Sequence, residues 1–287
     1  MKSSLRSNGL FLAIIGIILF LYLVYQRPIE GFQGTSGNSV AIITANFGNY
    51  DSLKDPNVNN ANMVDWYCFT DNTDTKSEIW NVIDTPYHLQ NEREYYSEYK
   101  NSYRNITDPK IRNMMAAKYY KIKAHEIDIL KKYRYYVWVD GSITLQPESI
   151  NNILELINMN YDLISFKHSA RTTVQEEVAL SVKLPKYLSQ NVDKQYELYK
   201  SDGFPDDSGL FECGLFVRKN IARINALFDM WWLENLKNSF QDQVSLPYCL
   251  WKTGIRPDYI IMDSIFSNEK FSKINTDSRY DKSHHWK

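Results

Sequence analysis

The chain has only three cysteines in 287 residues, Cys68, Cys213 and Cys249, and no two share the short spacing of a metal knuckle. That excludes a small disulfide-stapled scaffold and a zinc-finger arrangement. Surplus charge is missing too: 33 basic against 34 acidic residues leave a formal net charge of -1. A nucleic-acid partner would need a basic patch, and this balance argues against one. There is no internal repeat, and no phosphate-binding glycine motif of the P-loop or dinucleotide type. Any nucleotide bound here must therefore be held by a metal and by basic side chains.

Long apolar runs are absent but for one, Leu10 to Tyr25, which carries no charge. At about 1.5 Å per residue it spans roughly 24 Å, short for a bilayer but workable in a thin one with flanking residues drawn in. Lys2 and Arg6 precede it and favour a cytoplasmic N-terminus, hence a type II orientation. The sequence Tyr25-Gln26-Arg27-Pro28 is a poor cleavage site, so the run reads as an uncleaved signal-anchor rather than a signal peptide. The expected order is a tail over 1–9, a transmembrane anchor over 10–26, a Gly/Ser-rich stalk over 27–38 and one large domain over 39–287. The triplet Asn105-Ile106-Thr107 would suit a luminal glycan acceptor, although such triplets also arise by chance.

Within the domain, Ser39–Thr44, Val64–Thr70, Glu78–Ile83 and Tyr161–Phe166 read as strands, and Leu215–Val217 as a short one after Gly214. Helical spacing is predicted over Ile111–Lys131, Pro147–Met159 and Asn220–Asn235. It also covers most of Thr173–Tyr199, with a break at Pro185. Strands alternating with helices predict an α/β domain with a single, mostly parallel sheet flanked by helices. The strongest strand is Tyr133 to Val139, which ends abruptly at Asp140-Gly141-Ser142. A carboxylate at a strand exit lies where open α/β sheets collect ligands, and it can hold Mg²⁺ or Mn²⁺ against a diphosphate. It can equally cap a turn.

Other candidates gather at neighbouring strand exits. The first offers Thr44, Asn46, Gly48 and Asp51, and the second Thr70 and Asp71, groups that can bond a base and ribose or simply form turns. Arg112 and Lys118 precede the Asp140 strand and could neutralise a diphosphate, whereas Lys121 and Lys123 read as a solvated helix face. His168 and Arg171 could bind phosphate or position an acceptor hydroxyl. Thr173 and Glu176 have capping-box spacing. Glu212 precedes Gly214, where a ligand could approach the backbone closely. Asp242, between Gln241 and Gln243, could act as a general base toward a sugar hydroxyl or as a helix cap.

Taken in order, Thr44-Ala45-Asn46-Phe47-Gly48-Asn49-Tyr50-Asp51, Tyr136 to Gly141, Lys167-His168-Ser169-Ala170-Arg171 with Glu176-Glu177, Glu212-Cys213-Gly214 and Gln241-Asp242-Gln243 resemble the plant glycosyltransferase-like family of turgor-regulation and mucilage-related proteins. The resemblance spans about residues 40 to 255. It implies a GT-A-like nucleotide-diphospho-sugar transferase fold on a membrane anchor, with Golgi or endoplasmic reticulum location and a luminal domain. It also implies a nucleotide-sugar donor (a UDP-sugar first), Mn²⁺ or Mg²⁺, and a glycan acceptor. Asp140 then stands at the first acid of the Asp-x-Asp motif, but the third position is Ser142. His285 in the C-terminal tail is the further metal ligand the resemblance suggests. One branch of the family is described as alkaline ceramidases, which makes sphingolipid amide hydrolysis an alternative, and a non-catalytic binding protein on the same fold is another. The sequence has neither an HxxxH-type cluster nor a Gly-x-Ser-x-Gly elbow for a hydrolase.

Overall fold

The two most apolar segments lie at the middle of the sheet, and polar side chains enter the first of them only near its end, at Thr44 and Asn46. β1 (Val40–Asn46) and β4 (Tyr135–Val139) are buried along their whole length, as expected of parallel strands covered on both faces. In this computed structural model the described residues are 38–85, 108–265 and 267–274. The expected anchor, its tail, the stalk up to residue 37, Asn105 and His285 all lie outside them. Among the described residues no helix is long and apolar enough to cross a membrane.

With β2 (Asp65–Thr70), β3 (Asn81–Asp84), β6 (Leu163–Lys167), β7 (Phe211–Lys219) and β8 (Tyr259–Ile261), these strands form a seven-stranded sheet in the order β3-β2-β1-β4-β7-β6-β8. The first four are mutually parallel, and so are β6 and β8, whereas β7 runs antiparallel to both its neighbours. The mostly parallel α/β sheet is thus as expected, with one reversed strand that the pattern did not announce. A small antiparallel sheet of β5 (Ile143–Leu145), β9 (Ser267–Asn268) and β10 (Ser272–Ile274) was also not foreseen.

Helices cover both faces. α1 (Pro109–Ile122) starts at Asp108, whose carboxylate accepts the Lys110 N–H at 2.9 Å, with Pro109 at the first helical position. It stops at Lys123 and continues as two short turns, Ala124–Glu126 and Asp128–Leu130, instead of running to residue 131. α2 is Ser149–Asn158, α3 Val174–Ser181, α4 Val192–Ser201, α5 Ala222–Lys237 and α6 Asp242–Thr253. Strand alternation divides the core. Ile43, Tyr136 and Trp138 pack with α1, α5 and α6 on one face, while Ile42, Val137 and Val139 pack with α2 on the other.

Candidate functional site

The same alternation that buries Tyr136 and Trp138 against α1 puts Asp140 on that face, at the point where β4 leaves the sheet. The Asp140 N–H is still paired to the Gly214 carbonyl at 2.7 Å, and its carbonyl accepts the Ile143 N–H at 2.9 Å, so the strand ends in a tight, held turn. Here a cleft of about 690 Å³ opens beyond the carboxyl ends of β1 and β4. Lys118, Asp140, His168, Arg171, Glu212 and Asp242 all line it, so six residues singled out from the sequence converge.

The centre of the cleft is a charge cluster. Lys121 Nζ donates to Asp242 Oδ2 at 2.7 Å and to Asp140 Oδ1 at 3.3 Å, and Lys118 Nζ lies 2.6 Å from the same Asp242 oxygen. Trp138 Nε1 donates to Asp140 Oδ1 at 2.5 Å. Lys121 is buried rather than solvated, and so is Lys123, which pairs with Asp229 and Glu126. Their helix face looks polar in sequence because the acids that neutralise it lie on distant segments.

Burial alone would raise the Asp242 carboxyl, but Lys118 and Lys121 more than offset it and hold it below the usual range. A carboxylate stabilised in this way is a weak base. Its other oxygen, Oδ1, is buried with no hydrogen-bond partner among the described residues. Asp242 is the first residue of α6, where the helix dipole adds further stabilisation to the anion. For Lys118, burial outweighs the attraction of Asp242 and pulls the amine down. For Lys121, burial is the largest influence and acts downward, but Asp140 and Asp242 together raise it.

A second group forms the rim. His168 is buried, its Nδ1 accepts the N–H of Ala170 and of Arg171 at 3.1 Å each, and its Nε2 lies 3.0 Å from Arg171 Nη2. Arg171 Nε donates to buried Glu177 Oε2 at 2.5 Å. Glu177 Oε1 accepts from Gln241 Nε2 at 2.6 Å, and Tyr187 donates to Gln241 Oε1 at 2.8 Å. Glu177 thus ties both Arg171 and the start of α6 to α3 at the rim. Glu212, near the start of β7, accepts from Ser169 Oγ at 3.0 Å. Glu176 completes the capping box with Thr173, its structural reading.

The expected nucleoside contacts fare differently. Asn46 lines the cleft, where its Oδ1 accepts the Asp51 N–H at 3.0 Å and its Nδ2 donates to the Asp51 carbonyl, clamping the 46–51 loop. Thr44 does not line it: strand alternation puts Thr44 on the α2 face, beside a small separate cavity. Gly48 and Asp71 bond each other, the Gly48 N–H reaching Asp71 Oδ1 at 2.9 Å, and neither lines the cleft. Gly48 has φ +64°, and a Cβ there would fall 1.8 Å from Asn113 Nδ2, so its glycine serves loop packing. Arg112 is exposed on α1 and does not line the cleft. Two lining residues escaped the sequence reading, Lys121 and Lys186. A buried amine has no local signature, and Lys186 stands on the short turn Pro185–Tyr187, where only a Pro break was legible.

Two glycines let acids approach the backbone closely at the exit of β4. A Cβ on Gly214 would come 3.2 Å from Asp140 Oδ2, and one on Gly141 would come 2.8 Å from Asp51 Oδ2. Both carboxylates line the cleft. Two hard oxygen donors on one cleft wall are chemically suited to Mg²⁺ or Mn²⁺. Elsewhere, ligand atoms of His125, Glu126 and Asp229 lie within 4.8 Å of one another. There the ammonium of Lys123 already bonds both acids, at 2.6 and 2.5 Å, so a lysine supplies the positive charge.

No curated protein matches the chain. A family model does: the one described as TOD1/MUCI70, glycosyltransferase-like domain, matches residues 32–280, which takes in every cleft residue named above. With its open strand-end cleft, its buried acids and that match over most of its length, the chain belongs to the TOD1/MUCI70 glycosyltransferase-like family.

Proposed function

We propose that this protein transfers a sugar from a nucleotide-sugar donor, a UDP-sugar first among them, to a hydroxyl of a glycan or glycoconjugate. The observation that carries the reading is Asp140 at the open exit of β4. One oxygen is held by Trp138 and Lys121, and the other is left open by Gly214, with Asp51 across Gly141. Asp140 and Asp51 would hold Mn²⁺ or Mg²⁺, which supplies the positive charge that neutralises a leaving diphosphate. The clamped 46–51 loop, with Asn46 and Phe47 on the cleft wall, is the proposed seat of the nucleoside.

Asp242 binds rather than abstracts in this reading. Its ionised state is secured by two lysines, and it lines the cleft where the donor sugar would sit. His168 keeps the 168–171 turn in shape, through which Ser169 reaches Glu212. We assign the proton of the acceptor hydroxyl to Glu212, beside Gly214 at the cleft floor. The N-terminal apolar run remains the proposed type II anchor, with the domain in the Golgi or endoplasmic reticulum lumen. Amide hydrolysis through a Cys213 nucleophile finds little support, because burial drives that thiol well above its ordinary range.

The test is release of sugar and nucleotide from a panel of UDP-sugars by the full chain, with and without Mn²⁺. Asp140→Ala lowers kcat/KM by about a hundredfold or more, in the range seen when one preorganised electrostatic group is removed. Activity that survives both Asp140→Ala and chelation of the metal would overturn the assignment. Ceramide cleavage in place of transfer would overturn the function itself.

A further inference from the structure

Four cationic side chains line the cleft, and three are already committed: Arg171 to Glu177, Lys118 to Asp242, and Lys121 to Asp140 and Asp242. The fourth, Lys186, makes no ion pair among the described residues. It is half-buried on the Pro185–Tyr187 turn between α3 and α4, its Nζ 4.6 Å from the Tyr187 ring centroid. Tyr187 is itself buried and anchored through its hydroxyl to Gln241, next to Asp242, so the turn carrying Lys186 is fixed to the cleft wall.

An unpaired ammonium on the wall of a cleft whose other cations are neutralised is placed to meet an incoming anion. Resting on the nucleotide-sugar reading above, we infer that Lys186 is a donor-binding residue that clamps the diphosphate from the cleft wall. This transfers to Lys186 the phosphate role that residue type alone suggested for Arg112 and Lys118. Lys186 also feels its surroundings. Burial, with Lys118 on α1 adding to it, draws its amine down to about 8, against the opposing pull of Asp140, of Asp242 on α6 and of Glu177 on α3. An amine drawn down to that level loses its charge in mildly alkaline buffer, so its contribution to anion binding fades there.

Binding of UDP and of uridine to the full chain in Mn²⁺ buffer, by calorimetry, tests the assignment. Lys186→Ala raises the Kd for UDP by about tenfold or more, the range of a lost charge-assisted hydrogen bond, and leaves uridine unchanged. Lys186→Arg stays within a few-fold of wild type, and the exposed neighbour Lys183→Ala matches it. The wild-type UDP affinity weakens as pH rises through about 8, and that slope is lost in Lys186→Ala. UDP binding unchanged in Lys186→Ala overturns the clamp and leaves the nucleotide-sugar reading standing. A wild-type chain that binds no UDP overturns both.

Discussion

Replacing Lys121 by Met keeps the length of the side chain and removes its charge, and so tests whether this buried ammonium holds the two cleft acids. Two contacts are lost. The one to Asp140, at 3.3 Å to a carboxylate whose side chain is 38% exposed, is screened by water and contributes less than about 1 kcal/mol. The one to Asp242, at 2.7 Å with both partners nearly dry, belongs to a class where removing one member costs about 3–5 kcal/mol. Lys118 stays 2.6 Å from the same oxygen and absorbs part of the loss, so the lower end, about 3 kcal/mol, is expected at pH 7. The assay is urea unfolding of the full chain from pH 7 downward. Asp242 is held below its ordinary range in the folded protein, so its contribution is present above the unfolded carboxyl pKa and fades as pH falls through the folded value. The gap between wild type and Lys121→Met therefore narrows at acid pH, where a protonated Asp242 no longer needs its cations. The exposed Lys132→Met is the control and stays within about 0.5 kcal/mol. A Lys121→Met protein within 1 kcal/mol of wild type at pH 7 (about the screened contact alone), or a gap that ignores pH, would refute the reasoning.

Two further outcomes follow from the geometry. Gly214→Ala puts a Cβ 2.8 Å from the flexible Ile143 Cδ1 and 3.2 Å from Asp140 Oδ2; the fold should lose only about 1 kcal/mol while transfer falls at least tenfold, read by thermal melting beside activity. Half-buried His125 is drawn down to about 4, first by burial and then by Arg218, whose Nη2 lies 3.2 Å from its Nδ1. The unfolded chain takes up that proton at higher pH, so wild type loses about 3 kcal/mol between roughly pH 6.5 and 4 that His125→Gln does not, measured as the difference between their acid limbs in urea.

Much of this fold was legible because its central strands are monotonously apolar. β1, β2 and β4 announced themselves, and Asp140 stood out by breaking such a run. β7 was read as three residues because Glu212, Cys213 and Gly214 look like a turn and Arg218 and Lys219 like an end, yet the strand runs Phe211–Lys219. Its charges are hidden by partners far away in the chain: Arg218 stacks on Tyr136 and Phe228, and Lys219 reaches Asp162. The site divides in the same way. Carboxylates and His168 at strand exits follow from topology, and those exits converge. Lys121 and Thr44 were misplaced because the sense of a face depends on what packs there. For Lys121 the deciding acid lies 121 positions downstream.

The reversed strand gives the family a place to vary. Because β7 enters the sheet at the cleft edge instead of leaving there, both the 168–173 segment out of β6 and the 202–210 segment into β7 end on the rim, pinned together where the His168 N–H meets the Leu210 carbonyl at 3.0 Å. The 168–171 turn carries the contacts of His168, Ser169 and Arg171, but the 202–210 segment lies outside the paired residues, so its length can change without shifting the strand register. Under the proposed transfer, differences in acceptor between relatives should be sought first in the length of the 202–210 segment.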